Sequence, residues 1–182
     1  YELGSGLVGS EMCIRDRSHE DVQFFLPRAH TIERSELEAF ISERNVPVTI
    51  TEDHTYDLMQ ICDVCLAASG TATLETAMME LPTVLLYKVS PITYGIGKMV
   101  VNLTHVGLPN IVAGKEVIPE LLQDDVSVDA IVNAVLPLLD DLQVNQHMRS
   151  ELRSVKEKLG ESGAVNRVAQ LIYDLGKEKT NE

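Results

Sequence analysis

The sequence predicts an α/β fold, a parallel sheet flanked by helices that ends in a helical segment. Three observations carry that prediction. Short aliphatic or β-branched runs alternate with amphipathic stretches from Val22 to Val89. Apolar residues make up 45 % of the chain but aromatics only 4 %, so the core is built from Leu, Val, Ile and Ala, which suits parallel strands buried on both faces. A strand that ends in Ser69-Gly70-Thr71 leads straight into a helix, the junction at which open α/β sheets bind ligands.

The elements follow in order. "VQFFLP" (Val22–Pro27) is a short apolar run closed by proline and reads as a buried strand. "ERSELEAFISERN" (Glu33–Asn45) places Leu37, Phe40 and Ile41 at helical spacing among charges, an amphipathic helix. "VPVTIT" (Val46–Thr51) is a β-branched strand, and "TYDLMQICD" a short helix with Thr55 as its cap. "VCLAASG" (Val64–Gly70) is a strand ending in small residues. "ATLETAMMEL" is a helix stopped by Pro82, and "TVLLYKV" (Thr83–Val89) is the next strand. Four strands alternating with three helices imply right-handed crossovers and a parallel sheet.

Beyond Pro91 strand signals fade. "ITYGIGKMVVNL" is expected to be helical, weakened by Gly95 and Gly97, and "THVGLPNIVAGKEV" to be a loop. "SVDAIVNAVLPLLDDL" has Ser127 as N-cap, preceded by a solvated turn at Asp124 and Asp125. "NQHMRSELRSVKEKLG", ended by Gly160, and "AVNRVAQLIYDLGKE" complete the chain as amphipathic helices.

A chain of 182 residues is one domain, or a fragment of something larger. A formal charge of −13 argues against a nucleic-acid partner, which needs clustered Lys and Arg. It leaves anionic ligands open, because backbone amides at a helix N-terminus bind phosphate without basic side chains. No apolar run reaches the roughly 18 residues of a spanning helix. Three cysteines, Cys13, Cys62 and Cys65, are too few for a disulfide framework and fit a reducing compartment. No basic-then-apolar start marks a signal peptide.

The chemistry concentrates in "AASGTATLETA", Ala67 to Ala77. Small residues at Ser69, Gly70 and Thr71 let a ligand approach the backbone, where the helix dipole and free N–H groups suit a phosphate or pyrophosphate. Glu75 has no capping-box role: three residues after Thr71 stands Leu74, and three after Gly70 stands Thr73. It is therefore a candidate acceptor for sugar hydroxyls. A tight turn, with Glu75 favouring the helix dipole, explains the same residues. The spacing matches neither a Walker A loop nor GxGxxG.

In "VGLPNIVAGKEVIPELLQDD" (Val106–Asp125), Pro109-Asn110 and Ala113-Gly114 shape a loop, and Asn110 offers a donor and an acceptor. A connecting turn with a solvent-facing amide is the plainer reading. Lys88 ends a strand at the same sheet edge and faces either a phosphate or water. Cys62 and Cys65 have CxxC spacing without a second ligand pair, so two small core residues explain them better than zinc. His30, His54, His105 and His147 are scattered, with no nucleophile motif beside them. No metal and no cofactor is called for.

"AASGTATLETA", "YKVSPITYGIGKMV", "VGLPNIVAGKEVIPELLQDD" and "LGESGAVNRVAQLI", in this order, resemble the C-terminal half of the lipid-A-disaccharide synthase family, from about Val22 to about Leu175. The resemblance implies an inverting glycosyltransferase of Rossmann-like halves, the GT-B arrangement, whose C-terminal half holds the nucleotide sugar. The family transfers 2,3-diacylglucosamine from its UDP form to 2,3-diacylglucosamine 1-phosphate, giving a β-1′,6 disaccharide and UDP. By this resemblance Ser69, Gly70 and Thr71 lie at the pyrophosphate, Glu75 at the ribose, and Asn110 with its loop through Gly114 beside the donor. Lys88 stands where the family often has Arg. Acylated substrates imply peripheral contact with the cytoplasmic face of the inner membrane of a Gram-negative bacterium.

Two departures stand out. The N-terminal acceptor half, with the expected general base, and the Pro-Gly-Ser-Arg phosphate loop have no counterpart, so residues 18–182 are expected to be a partial nucleotide-sugar domain that transfers no sugar alone. Residues 1–17 are aperiodic, and Leu7 to Asp16 of "GLVGSEMCIRDR" can be back-translated into a transposon-end sequencing adapter, which makes that segment non-native. Other readings of the chain are another UDP-sugar enzyme of this architecture (an epimerase or a peptidoglycan glycosyltransferase) or a non-catalytic α/β interaction module.

Overall fold

The computed structural model describes residues 22–44, 47–68, 70–88, 105–160 and 163–178. β1 (Phe24–Pro27) and β2 (Val48–Thr51) pair in parallel, Phe24 opposite Val48 and Pro27 opposite Thr51, with α1 (Arg34–Arg44) between them. α2 (Thr55–Ile61) leads to a three-stranded sheet in the order β3 (Cys65–Ala67), β4 (Thr83–Tyr87), β5 (Glu120–Leu122). Its pairings are all parallel, Ala67 level with Leu85 and Leu85 level with Glu120. α3 (Gly70–Met78) is the crossover from β3 to β4. α4 (Leu108–Ala113), a 3₁₀ turn at Gln123–Asp125, α5 (Val128–Asp140), α6 (Leu142–Leu159) and α7 (Ala164–Glu178) complete the described chain.

The core explains why β4 reads as an unbroken apolar run. Thr83 to Leu86 are buried on both faces of the strand, as a central parallel strand requires. Val84, Leu85 and Leu86 join Ile118, which precedes β5, Ile131 and Val132 of α5, and Leu152 and Val155 of α6, in one cluster. Phe24 and Val64 pack on its margin. α7 instead exposes Val165, Leu171 and Ile172.

Several expectations change. The segment read as a loop contains α4, a helix of six residues entered from Gly107, with Pro109 in its first turn. Gly114 closes it in the left-handed region (φ 74°) and donates its N–H to Asn110 O at 2.8 Å. Strand signals do not end at Val89, because β5 forms after Pro119 and completes the sheet. These elements are too short to show a period; pairing and capping define them. Thr55 is not a cap: it is the first residue of α2, preceded by a left-handed His54 (φ 52°) that makes no side-chain cap bond. The strand expected over Val64–Gly70 stops at Ala67, and Gly70 belongs to α3 itself. Ser127 does cap α5, its Oγ accepting from Ala130 N at 3.3 Å. The helix expected in "ITYGIGKMVVNL" lies outside the described residues.

α3 ends before Pro82 acts. Glu80 adopts the left-handed region (φ 55°), its N–H donates to Ala77 O and the Leu81 N–H donates to Thr76 O, both at 3.0 Å. A non-glycine residue there is uncommon, and the side chain supplies a reason. Arg153 donates to Glu80 Oε2 from Nε at 3.0 Å and from Nη2 at 2.8 Å, and Lys156 donates to Oε1 at 3.1 Å. Arg149 of the same helix reaches Glu80 O and Cys62 O. A stripe of α6 thus pins the turns by which the chain enters β3 and β4.

Candidate functional site

Parallel order puts the C-terminal ends of β3 and β4 at one edge of the sheet, so α3 begins and Lys88 follows β4 at the same edge. Among the described residues, the N–H groups of Gly70 and Thr71 have no acceptor. They form the open first turn of a nine-residue helix, whose dipole favours an anion there. Thr71 and Glu75 are one turn apart on the same face, opposite the buried Thr73, Thr76 and Ala77. Thr71 is exposed and Glu75 half-buried, and the Glu75 carboxylate has no hydrogen-bond or ion-pair partner among the described residues. As the sixth residue of α3 it stands beyond any capping-box position.

Among the described residues nothing requires glycine at Gly70: its φ is not positive, and an added Cβ would meet Leu108 Cγ and Val106 O, both at an ordinary 3.8 Å. Gly107 is the opposite case. A Cβ there would lie 3.1 Å from Glu120 Oε1, 3.3 Å from Leu85 Cδ2 and 3.4 Å from Ile118 Cδ1.

The neighbours of Gly70, Val106 O and Leu108 Cγ, place the start of α4 beside the start of α3. Asn110, expected at the surface if it were a turn residue, is fully buried (0 % exposed). Its Nδ2 donates to Ile118 O at 2.9 Å and to Glu120 Oε1 at 2.7 Å, while Oδ1 accepts from Val117 N at 2.7 Å and Ile118 N at 2.9 Å. All four hydrogen-bonding positions of the amide are used inside the fold, and its orientation is fixed by two donors facing one atom and two acceptors facing the other. Glu120, which the sequence reading passed over, accepts from Gly107 N at Oε1 and from Val106 N at Oε2, each at 2.9 Å. Its side chain is only 8 % exposed, and His105 Nδ1 lies 3.9 Å away, too far for a hydrogen bond. The available signal was an acid set inside the apolar run "VIPELL".

The structure therefore gathers Gly70, Thr71 and Glu75 on one helix, with the 105–108 segment beside Gly70 and Asn110 buried behind that segment. Ser69 lies outside the described residues. Lys88 is half-buried at the same edge, the first residue after β4. Gly114 stands at the far end of α4, about 9 Å along the helix axis from its start, where its left-handed φ is what needs glycine. Lys158 closes that end by donating to Ala113 O at 3.0 Å.

The paired cysteines offer no reactive thiolate. Burial pushes the Cys65 thiol up to about 12 and raises Cys62 as well. No three metal-ligating side chains cluster among the described residues, and no described helix is long and apolar enough to cross a membrane.

A family model described as lipid-A-disaccharide synthetase matches residues 13–172. A lipid-A-disaccharide synthase of Geobacter sulfurreducens is 42 % identical over 173 residues, which are 94 % of this chain and 45 % of that protein. One from Syntrophotalea carbinolica is 34 % identical over 176 residues, 97 % of this chain and 45 % of its own length. One from Persephonella marina is 39 % identical over 164 residues, 87 % and 43 %. The chain thus spans less than half the length of these relatives.

Proposed function

The chain belongs to the lipid-A-disaccharide synthetase family, and on that premise we propose that it is the nucleotide-sugar-binding part of a lipid-A-disaccharide synthase. The observation that carries the proposal is the start of α3 at the carboxyl edge of the sheet, where the Gly70 and Thr71 amides meet no acceptor among the described residues. The pyrophosphate of a UDP-activated 2,3-diacylglucosamine sits there, and Glu75, one turn on, accepts from the ribose hydroxyls. Amides held in place before the reaction stabilise the negative charge that develops on departing UDP. Lys88 adds a cation at the same edge. Asn110 and Gly114 contribute through the shape of α4, since the Asn110 amide is wholly used internally.

The acceptor, 2,3-diacylglucosamine 1-phosphate, and the base that deprotonates its 6-hydroxyl belong to sequence that this chain does not carry. Residues 18–182 alone accordingly bind UDP weakly and transfer no sugar. Acyl chains on both substrates place the whole enzyme against the cytoplasmic face of the inner membrane. Residues 1–17 are read as non-native, and the genomic sequence upstream of codon 18 tests that directly.

Titration of the labelled chain with UDP, followed by amide resonances, tests the site. Perturbations centred on Gly70 to Glu75, reduced in Glu75→Ala, support it. A chain that shows none at millimolar UDP, or whose shifts cluster elsewhere, refutes it.

A further inference from the structure

We propose that Glu120 is a positioning residue for this site, a role that rests on the nucleotide-sugar reading above. Glu120 opens β5 level with Leu85, and Leu85 is level with Ala67, the last residue of β3. The carboxylate thus stands at the height where the chain leaves β3 for α3. From there it gathers three donors 10 to 14 residues upstream in sequence: Val106 N, Gly107 N and Asn110 Nδ2. These fix the 105–108 segment, and that segment borders Gly70: Val106 O and Leu108 Cγ are the described atoms that a Cβ there would meet, each at 3.8 Å. Gly107 is glycine so that the carboxylate and Leu85 can approach.

One consequence follows for the ligand. The wall on one side of the start of α3 is held by a buried carboxylate with every donor matched. A neutral amide in its place offers one acceptor where three donors converge, and turns an N–H toward another N–H.

The sign of the effect separates positioning from plain charge. A carboxylate that were only a nearby negative charge would repel UDP, and Glu120→Gln would then tighten binding. A positioning carboxylate gives the opposite result: Glu120→Gln weakens UDP binding about tenfold. Glu120→Asp, which keeps the charge but withdraws it by one methylene, weakens it less and in the same direction. Protection of the Val106 and Gly107 amides from hydrogen exchange falls in both variants. Leu138→Ala, a core change near the end of α5 beside the Asp63 turn that enters β3 at the opposite edge of the sheet, serves as a control that lowers stability while UDP affinity holds.

UDP titrations of the whole chain and these three variants decide the matter. Unchanged or tighter binding in Glu120→Gln, with the wild type responding at Gly70 and Thr71, overturns the positioning role and leaves the nucleotide reading standing. Equal weakening in Leu138→Ala reduces Glu120 to a general stability residue and likewise overturns it. No response in the wild-type chain overturns the nucleotide reading, and this inference with it.

Discussion

Two helices begin side by side at the carboxyl edge of the sheet, and the residues at their starts are held differently. The residues that lead into α4 are tied to Glu120, which accepts from the Val106 and Gly107 amides and from the Asn110 side chain, although Gly107 itself makes no side-chain cap bond. α3 starts at Gly70 and Thr71 with no acceptor among the described residues. Burying a polar group without a partner costs on the order of 1–3 kcal/mol, so the matched approach to α4 is part of the stability of the fold. Amides at a helix start that the described residues leave unmatched are free to meet a ligand. The difference separates what holds the fold from what the fold offers.

The largest test breaks the closed side. Asn110→Ala leaves Val117 N, Ile118 N and Ile118 O without partners and removes one donor from Glu120. We expect a loss of about 3 kcal/mol or more, read from urea unfolding midpoints, because several buried groups are stranded at once. A loss below about 1 kcal/mol would mean that water enters and replaces the amide. Gly107→Ala comes next, at about 1–3 kcal/mol. Its Cβ meets a carboxylate oxygen and two core side chains within 3.4 Å, and Leu85 and Ile118 are both fully buried. An alanine variant as stable as the parent would show that β5 and α4 part more easily than the packing suggests.

The sequence disclosed one of these helix starts and hid the other, for a physical reason. β1 to β4 show themselves as short apolar or β-branched runs and the long helices through periodicity, and the Ser-Gly-Thr junction announces itself because strand and helix meet within three residues. α4 has six residues, too few for a period, and it contains the Gly, Pro and Asn that punctuate loops. β5 has three residues and exists through its pairing with β4. Asn110 reads as a turn amide since nothing local tells that Ile118 and Glu120 fold back over it. Glu120 is quieter still: its three donors lie 10 to 14 residues upstream, and no local pattern joins an acid to amides at that distance.

The open start of α3 depends on a fixed far end. Glu80, in the left-handed region after α3, is tied to Arg153 and Lys156 of α6, so the helix is anchored where it meets no ligand. The hydrogen bond from Arg153, with help from Lys156, holds the Glu80 carboxyl below its ordinary 4.5. A depressed folded value means that the stabilisation is present above the unfolded value and is lost as pH falls through the folded one. Glu80→Gln should therefore be less stable than the parent at neutral pH, with the gap closing below about 4.5. The effect is modest, since Arg153 and Lys156 are largely solvated, and the acid limb is shared with Glu52 and Glu151, whose values are also lowered. A gap that stayed constant across the acid range would assign Glu80's contribution to its backbone geometry alone.

The smallest expected change in stability is also the one that bears most on function. At Gly70 a methyl group meets only ordinary contacts among the described residues, and the residue already has helical placement, so Gly70→Ala should leave stability unchanged or raise it by up to about 0.5–1 kcal/mol through helix propensity. At Gly107 the same substitution intrudes on Glu120 and the core. If Gly70→Ala keeps its unfolding midpoint and loses its response to UDP, the glycine serves a ligand that approaches the backbone, and the two glycines divide cleanly between site and scaffold. If it binds UDP as the parent does, the opening at α3 is wider than a methyl group and the phosphate sits farther from Gly70 than proposed. A marked loss of stability would place Gly70 with Gly107, inside the packing, and the contrast between the two helix starts would fall.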